Sequence, residues 1–119
     1  MIVAVEPRPL TERERAVLDV LLGVDFQGVE KLRREARDVV VVGMCGCGCP
    51  SVDFRRGGGL GMAIRVNAAV SGSDDGLFLY TVEDAERGEV LGGIEWMGVG
   101  ETDPSEFPVA DLLDDIQPA

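Results

Sequence analysis

The sequence predicts an α+β fold in two layers: an N-terminal helix pair packed on a four-stranded antiparallel β-meander, closed by a short C-terminal helix or turn. Three observations lead there. Residues 12–36 carry apolar side chains at helical spacing. At Val39 the apolar period falls to two, and it holds through the later apolar runs. Those runs are joined by short glycine-rich connections, which favour antiparallel neighbours. A chain of 119 residues, 45% hydrophobic and 28% charged, is sized for one globular domain over residues 1–119.

In chain order, Ile2 to Val5 can form a short strand ended by Pro7 and Pro9. Thr11-Glu12-Arg13-Glu14 matches a capping box, so the first helix should run from about Glu12 to Leu22. Val17, Leu18, Leu21 and Leu22 give it an apolar stripe, and Gly23 is expected as its left-handed stop. Asp25 should cap a second helix with Phe26, Val29, Leu32 and Ala36 inside. Its outer face offers the pairs Glu30–Arg34 and Lys31–Glu35 and reads as solvated helix surface.

Four strands should follow. The first spans about Val39 to Phe54, with a bulge or bend at its glycines. Arg56-Gly57-Gly58-Gly59 is the turn into Leu60 to Val70. Leu77 to Val82 and Glu89 to Val99 complete the meander, the last carrying Val90, Ile94 and Trp96. Trp96, the only tryptophan, is expected in the core. In the C-terminal segment Val109, Leu112, Leu113 and Ile116 suggest a short helix or turn docking on the sheet, with Asp111, Asp114 and Asp115 facing out.

The charge is uneven. Residues 1–73 hold 9 acids and 10 bases, whereas residues 74–119 hold 13 acids and only Arg87, so the net charge of −11 belongs almost wholly to the last third. That field repels nucleic acid and anionic membrane, and it speeds encounter with a basic protein partner. No apolar run approaches the roughly 18 residues that cross a bilayer. The stretch from Met1 to Pro7 lacks the basic flank and long apolar region of a signal peptide, so the expected location is cytoplasmic. With no histidine anywhere, the usual general base and the usual catalytic triads are missing, which favours a protein that is not an enzyme. Gly57-Gly58-Gly59-Leu60-Gly61 lacks the lysine of a phosphate loop and reads as a hairpin turn.

The chemically suggestive stretch is Cys45-Gly46-Cys47-Gly48-Cys49-Pro50-Ser51, which holds all three cysteines. On a strand, side chains at i, i+2 and i+4 share a face, so the three thiols would point one way. Three readings stay open. The cysteines can be small core residues on a strand that glycines let others approach. They can be metal ligands, zinc being the commonest candidate, although same-face neighbours about 6.5–7 Å apart are wide for one ion. A fourth ligand would then come from Asp53, water or a second subunit in a homodimer. Three thiolates without imidazole would suit zinc or copper(I). They can also be a redox pair.

The chain resembles a group of small, uncharacterised actinobacterial proteins. The resemblance rests on Leu10-Thr11-Glu12-Arg13-Glu14-Arg15, on Phe26-Gln27-Gly28-Val29-Glu30-Lys31-Leu32-Arg33 and, most specifically, on Cys45-Gly46-Cys47-Gly48-Cys49. It covers about two thirds of the chain, implies a stand-alone cytoplasmic α+β domain, and brings no known activity. Two functions follow from the residues: an acidic, non-enzymatic binding module for a basic protein, or a thiolate metal-binding protein using Cys45, Cys47 and Cys49.

Overall fold

A computed structural model describes residues 2–55 and 61–119. The expected turn over Arg56 to Gly59, with Leu60 beyond it, lies outside the described residues. The fold differs from the expected helix pair on a four-stranded meander. It is one seven-stranded antiparallel sheet with two short helices. The strands are β1 (Ile2–Arg8), β2 (Val41–Cys45), β3 (Val52–Asp53), β4 (Ala63–Val70), β5 (Gly76–Asp84), β6 (Gly88–Met97) and β7 (Leu113–Pro118). They lie in the order β1-β2-β3-β6-β5-β4-β7. Helices α1 (Glu12–Leu21) and α2 (Val29–Ala36) connect β1 to β2, and a 3-10 turn over Ala110–Leu112 leads into β7.

Three departures account for the difference. The segment expected as one strand from Val39 to Phe54 folds into the β2–β3 hairpin, with Gly43 paired to Asp53 and Met44 to Val52. The C-terminal segment is a strand, with Leu113 opposite Val70 and Gln117 opposite Asn67. A helix there would place Asp111, Asp114 and Asp115 in its later turns with no base to answer the negative end of the helix dipole. The N-terminal strand joins the sheet beside β2 rather than standing apart, with Ile2 opposite Cys45.

The α1 capping box forms as expected. Thr11 Oγ1 accepts from the Glu14 amide at 3.1 Å, and the Thr11 amide donates to Glu14 Oε1 at 2.9 Å. Arg8 grips the same carboxylate through both terminal nitrogens, at 2.8 and 2.9 Å, and so ties β1 to α1. Burial pushes the Glu14 carboxyl up, but the Arg8 and Thr11 hydrogen bonds outweigh it and hold the carboxyl below its ordinary value. Glu14→Ala is therefore expected to cost about 2–3 kcal/mol, since it removes a cap and leaves Arg8 without its carboxylate, with only the Pro9 carbonyl and the Met44 sulfur to accept from it. Chemical denaturation at neutral pH checks the size. The wild-type advantage is present above the ordinary glutamate range and is lost as pH falls through the lowered value.

At the other end of α1 the expected glycine stop is replaced. Gly23 is not left-handed; Arg33 Nε of α2 donates to the Leu22 carbonyl at 2.7 Å instead. Asp25 does not cap α2, whose first turn follows left-handed Gly28; Asp25 pairs with Arg33. Of the expected i to i+4 pairs, Glu30 takes Arg33 and Lys31 reaches the Arg87 carbonyl.

The helices cover one face of the sheet. Val17, Leu18, Leu21 and Leu32 pack there with Val41, Val52, Val66, Leu79, Leu91, Ile94 and Phe107. Trp96 joins this core as expected. The opposite face carries a smaller cluster of Phe78, Tyr80, Val82 and Val90. Val90 falls there, despite its even spacing from Ile94 and Trp96, because the register between β5 and β6 shifts after Tyr80. Near this shift the Leu91 amide donates to the Glu35 carboxylate at 3.0 Å.

On that second face the Tyr80 hydroxyl donates to the buried Asp53 carboxylate. Glu95 is nearby. Burial first, then the Asp53 charge, raise the Glu95 carboxyl above its ordinary value. A raised folded value means the folded chain holds this proton more tightly than the unfolded chain, so stability falls as pH rises through that window. Glu95→Gln should accordingly raise the melting temperature at neutral pH. The gain should vanish when the pH drops below the ordinary carboxylate range; a gain that persists there would contradict the assignment.

Candidate metal centre

The three cysteines sit where β2 turns back toward β3. Cys45 ends β2, and the Gly48 amide donates to the Cys45 carbonyl at 3.2 Å, closing the turn. Gly48 has φ of 91°, a left-handed conformation that side-chain-bearing residues rarely adopt. This tight turn is why the cysteines do not stand along one strand face. It also closes the gap that a strand would leave between them. All three sulfurs lie within 4.8 Å of one another.

Each sulfur is held differently. Cys45 and Cys47 Sγ approach to 2.7 Å, and the Cys49 amide donates to Cys47 Sγ at 3.4 Å. Cys49 is buried in the main core, and its thiol donates to Ser51 Oγ at 3.4 Å. Ser51 is itself fully buried and accepts from the Trp96 amide at 2.8 Å. So β6, through Trp96 and Ser51, fixes the deepest thiol, while Cys47 is exposed to solvent and Cys45 is half-buried. Ser51 has no role legible in the sequence, because nothing in the apolar pattern marks a serine that bridges a loop to a central strand.

The local electrostatics favour a thiolate. Hydrogen bonding from the Cys47 thiol and then from the Cys47 backbone amide lowers Cys45 to about 7, while Cys47 is raised by the same sharing with Cys45. The lowering comes from a neighbouring thiol and an amide, with no basic side chain among its main causes, so no charge pattern along the chain signals it. A thiolate is the form of cysteine that ligates metals and acts as a nucleophile.

The fit to a metal can be tested on distances. Metal–sulfur bonds of about 2.3 Å in a tetrahedral arrangement put neighbouring sulfurs about 3.8 Å apart. The cluster's 2.7 Å approach and 4.8 Å outer limit bracket that spacing, so shifts of about 1 Å would bring the sulfurs onto one ion. Asp53, considered as a fourth ligand, is not in the cluster; its carboxylate receives the Tyr80 hydroxyl. Among the described residues the donor set is therefore three sulfurs. None of the described helices is long and apolar enough to cross a membrane. Comparison of the chain with protein-family models, curated proteins and solved structures finds no match.

Proposed function

We propose that this protein binds a thiophilic metal ion through Cys45, Cys47 and Cys49. The observation that carries the reading is the convergence of three sulfurs, from one glycine turn, within 4.8 Å of one another. Three thiolates and no imidazole suit zinc or copper(I). Zinc is the first candidate, with its fourth position left to a solvent molecule or to a second copy of the chain. An open fourth position suits a site that exchanges or delivers its ion better than one that only braces a fold. Exposed Cys47 gives that position access, and buried Cys49 gives the site an anchor.

Metal content and free-thiol titration on reduced protein purified without chelator test this directly. About one zinc or copper per chain, with thiols that react only after chelator is added, would support the site. Loss of the metal in a Cys45/Cys47/Cys49→Ser variant would assign it. Three freely reacting thiols in protein offered zinc and copper(I) would sink the reading and return the cysteines to packing.

The basic-partner reading stands second. Glu101, Asp103, Glu106, Asp111, Asp114 and Asp115 are all exposed, in the loop before β7 or around β7 itself. Asp114 and Asp115 lie on an edge strand, where charge also discourages pairing with another sheet edge. The acidic surface thus has a structural use that needs no partner, which ranks this reading below the metal.

A further inference from the structure

At the far end of β2 from the cysteines, a cleft of about 490 Å³ opens between the last turns of α2, the start of β2 and the end of β3. A second hollow of about 350 Å³ adjoins it and shares Glu35, Asp38 and Arg87. Four bases from three parts of the chain line the pair: Lys31 and Arg34 of α2, Arg55 just after β3, and Arg87 at the β5–β6 turn. Across the two hollows these four bases meet two lining acids, Glu35 and Asp38, with Asp84 a third acid paired to Arg55, whereas the chain as a whole carries a net charge of −11. Arg87 is the only base in the last third of the chain, and it points to this spot.

Two of the bases already have partners: Lys31 donates to the Arg87 carbonyl, and Arg55 is held by Asp84. Arg55 Nη1 pairs with Asp84 at 3.0 Å, but its Nε–H is buried with no acceptor among the described residues. A buried donor without a partner costs roughly 1–3 kcal/mol, so an acceptor brought to it is favoured. Arg55 is one of the residues that line the cleft. The other wall is apolar: Val40, Val42 and Phe54. Val40 is exposed although it is a large aliphatic residue.

We infer that this cleft binds a small carboxylate carrying an apolar body, its head between Arg55 and Arg87 and its body on Val40, Val42 and Phe54. The lining itself selects the class. Glu35 and Asp38 sit beside the bases, and their negative charge opposes a doubly charged phosphate more than a singly charged carboxylate. The combined hollow lies in the size range of small-molecule sites.

The test is a titration of the whole protein followed by two-dimensional amide and arginine Nε–H NMR. The probes are hexanoate, acetate, hexanol and inorganic phosphate. Saturable shifts with hexanoate at the Arg55 Nε–H and the Val42 amide are expected, with acetate and hexanol each binding at least tenfold more weakly. Arg87→Gln, at an exposed position on a turn, should weaken hexanoate about tenfold or more while leaving the remaining spectrum unchanged. Arg55→Lys should do the same, and if it unfolds the chain by freeing Asp84, Arg87→Gln still decides. No saturable shift with hexanoate, phosphate binding more tightly than hexanoate, or hexanoate binding indifferent to Arg87→Gln would each overturn the inference.

Discussion

Gly93→Ala is expected to unfold this protein or to cost it at least about 3 kcal/mol, a fall in melting temperature of roughly 10–15 °C. A methyl group at Gly93 would run into the Val52 carbonyl oxygen on β3 and come within 2.7 Å of the Tyr80 hydroxyl. The carbonyl belongs to the backbone ladder that joins β3 to β6, the one seam between the two halves of the sheet, so it cannot step aside. Gly92 differs in a useful way. There the added carbon would meet two Tyr80 ring carbons at 2.6 Å, and a side chain can be removed. Tyr80→Ala should therefore rescue much of the Gly92→Ala loss and little of the Gly93→Ala loss in a double-mutant cycle. Gly72→Ala serves as the control. Its φ of 79° is left-handed but nothing lies within 4 Å, so only backbone strain of about 1–2 kcal/mol is expected. Equal losses at Gly72 and Gly93, measured by denaturant melts, would refute the steric account.

Those glycines also mark where sequence and structure part. Helix α1 was legible because Thr11 and Glu14 form a local device that needs no tertiary partner. Strands β4, β5 and β6 fall close to their expected ranges, β4 through its apolar alternation and β5 and β6 as apolar runs bounded by turn residues. The β2–β3 hairpin was not legible. Cys-Gly-Cys-Gly-Cys continues the two-residue period through the turn, so alternation alone cannot separate a strand from a reversal. Strand β7 was misread because Val109, Leu112, Leu113 and Ile116 happen to fall at helical spacing, while the pairing with β4 that decides the matter spans more than 40 residues. β1 was expected as a strand but not as part of the sheet, so together these errors left a four-stranded meander where seven strands pair.

The site fared in the opposite way. The three cysteines were singled out in the sequence, but their convergence was not. Read as a strand, the cysteines lie too far apart for one ion; the left-handed Gly48 turn is what gathers them. The cleft at Arg55 and Arg87 had no signal at all. Its lining comes from α2, from the chain around β2 and β3 and from the β5–β6 turn, and no sequence period links them.

Addition of zinc to the reduced protein, at about a hundredfold excess over its dissociation constant, should stabilise the fold by about 2.7 kcal/mol. The matching rise in melting temperature is roughly 10 °C, read by calorimetry. The triple Cys45/Cys47/Cys49→Ser variant should show no such rise, because serine oxygens do not replace thiolates for a soft ion. The single variants should separate the roles of the ligands. Cys47→Ser changes an exposed side chain, so without metal it should melt close to wild type while losing most of the zinc response. Cys49→Ser puts a hydroxyl into the apolar core and disturbs the link through Ser51 to Trp96, so it should lower stability even without metal. If zinc and copper(I) both left the wild-type melting temperature unchanged, the sulfur cluster would be a packing feature. If Cys47→Ser kept the full zinc response, the exposed thiol would not be a ligand, and two sulfurs alone would have to hold the ion.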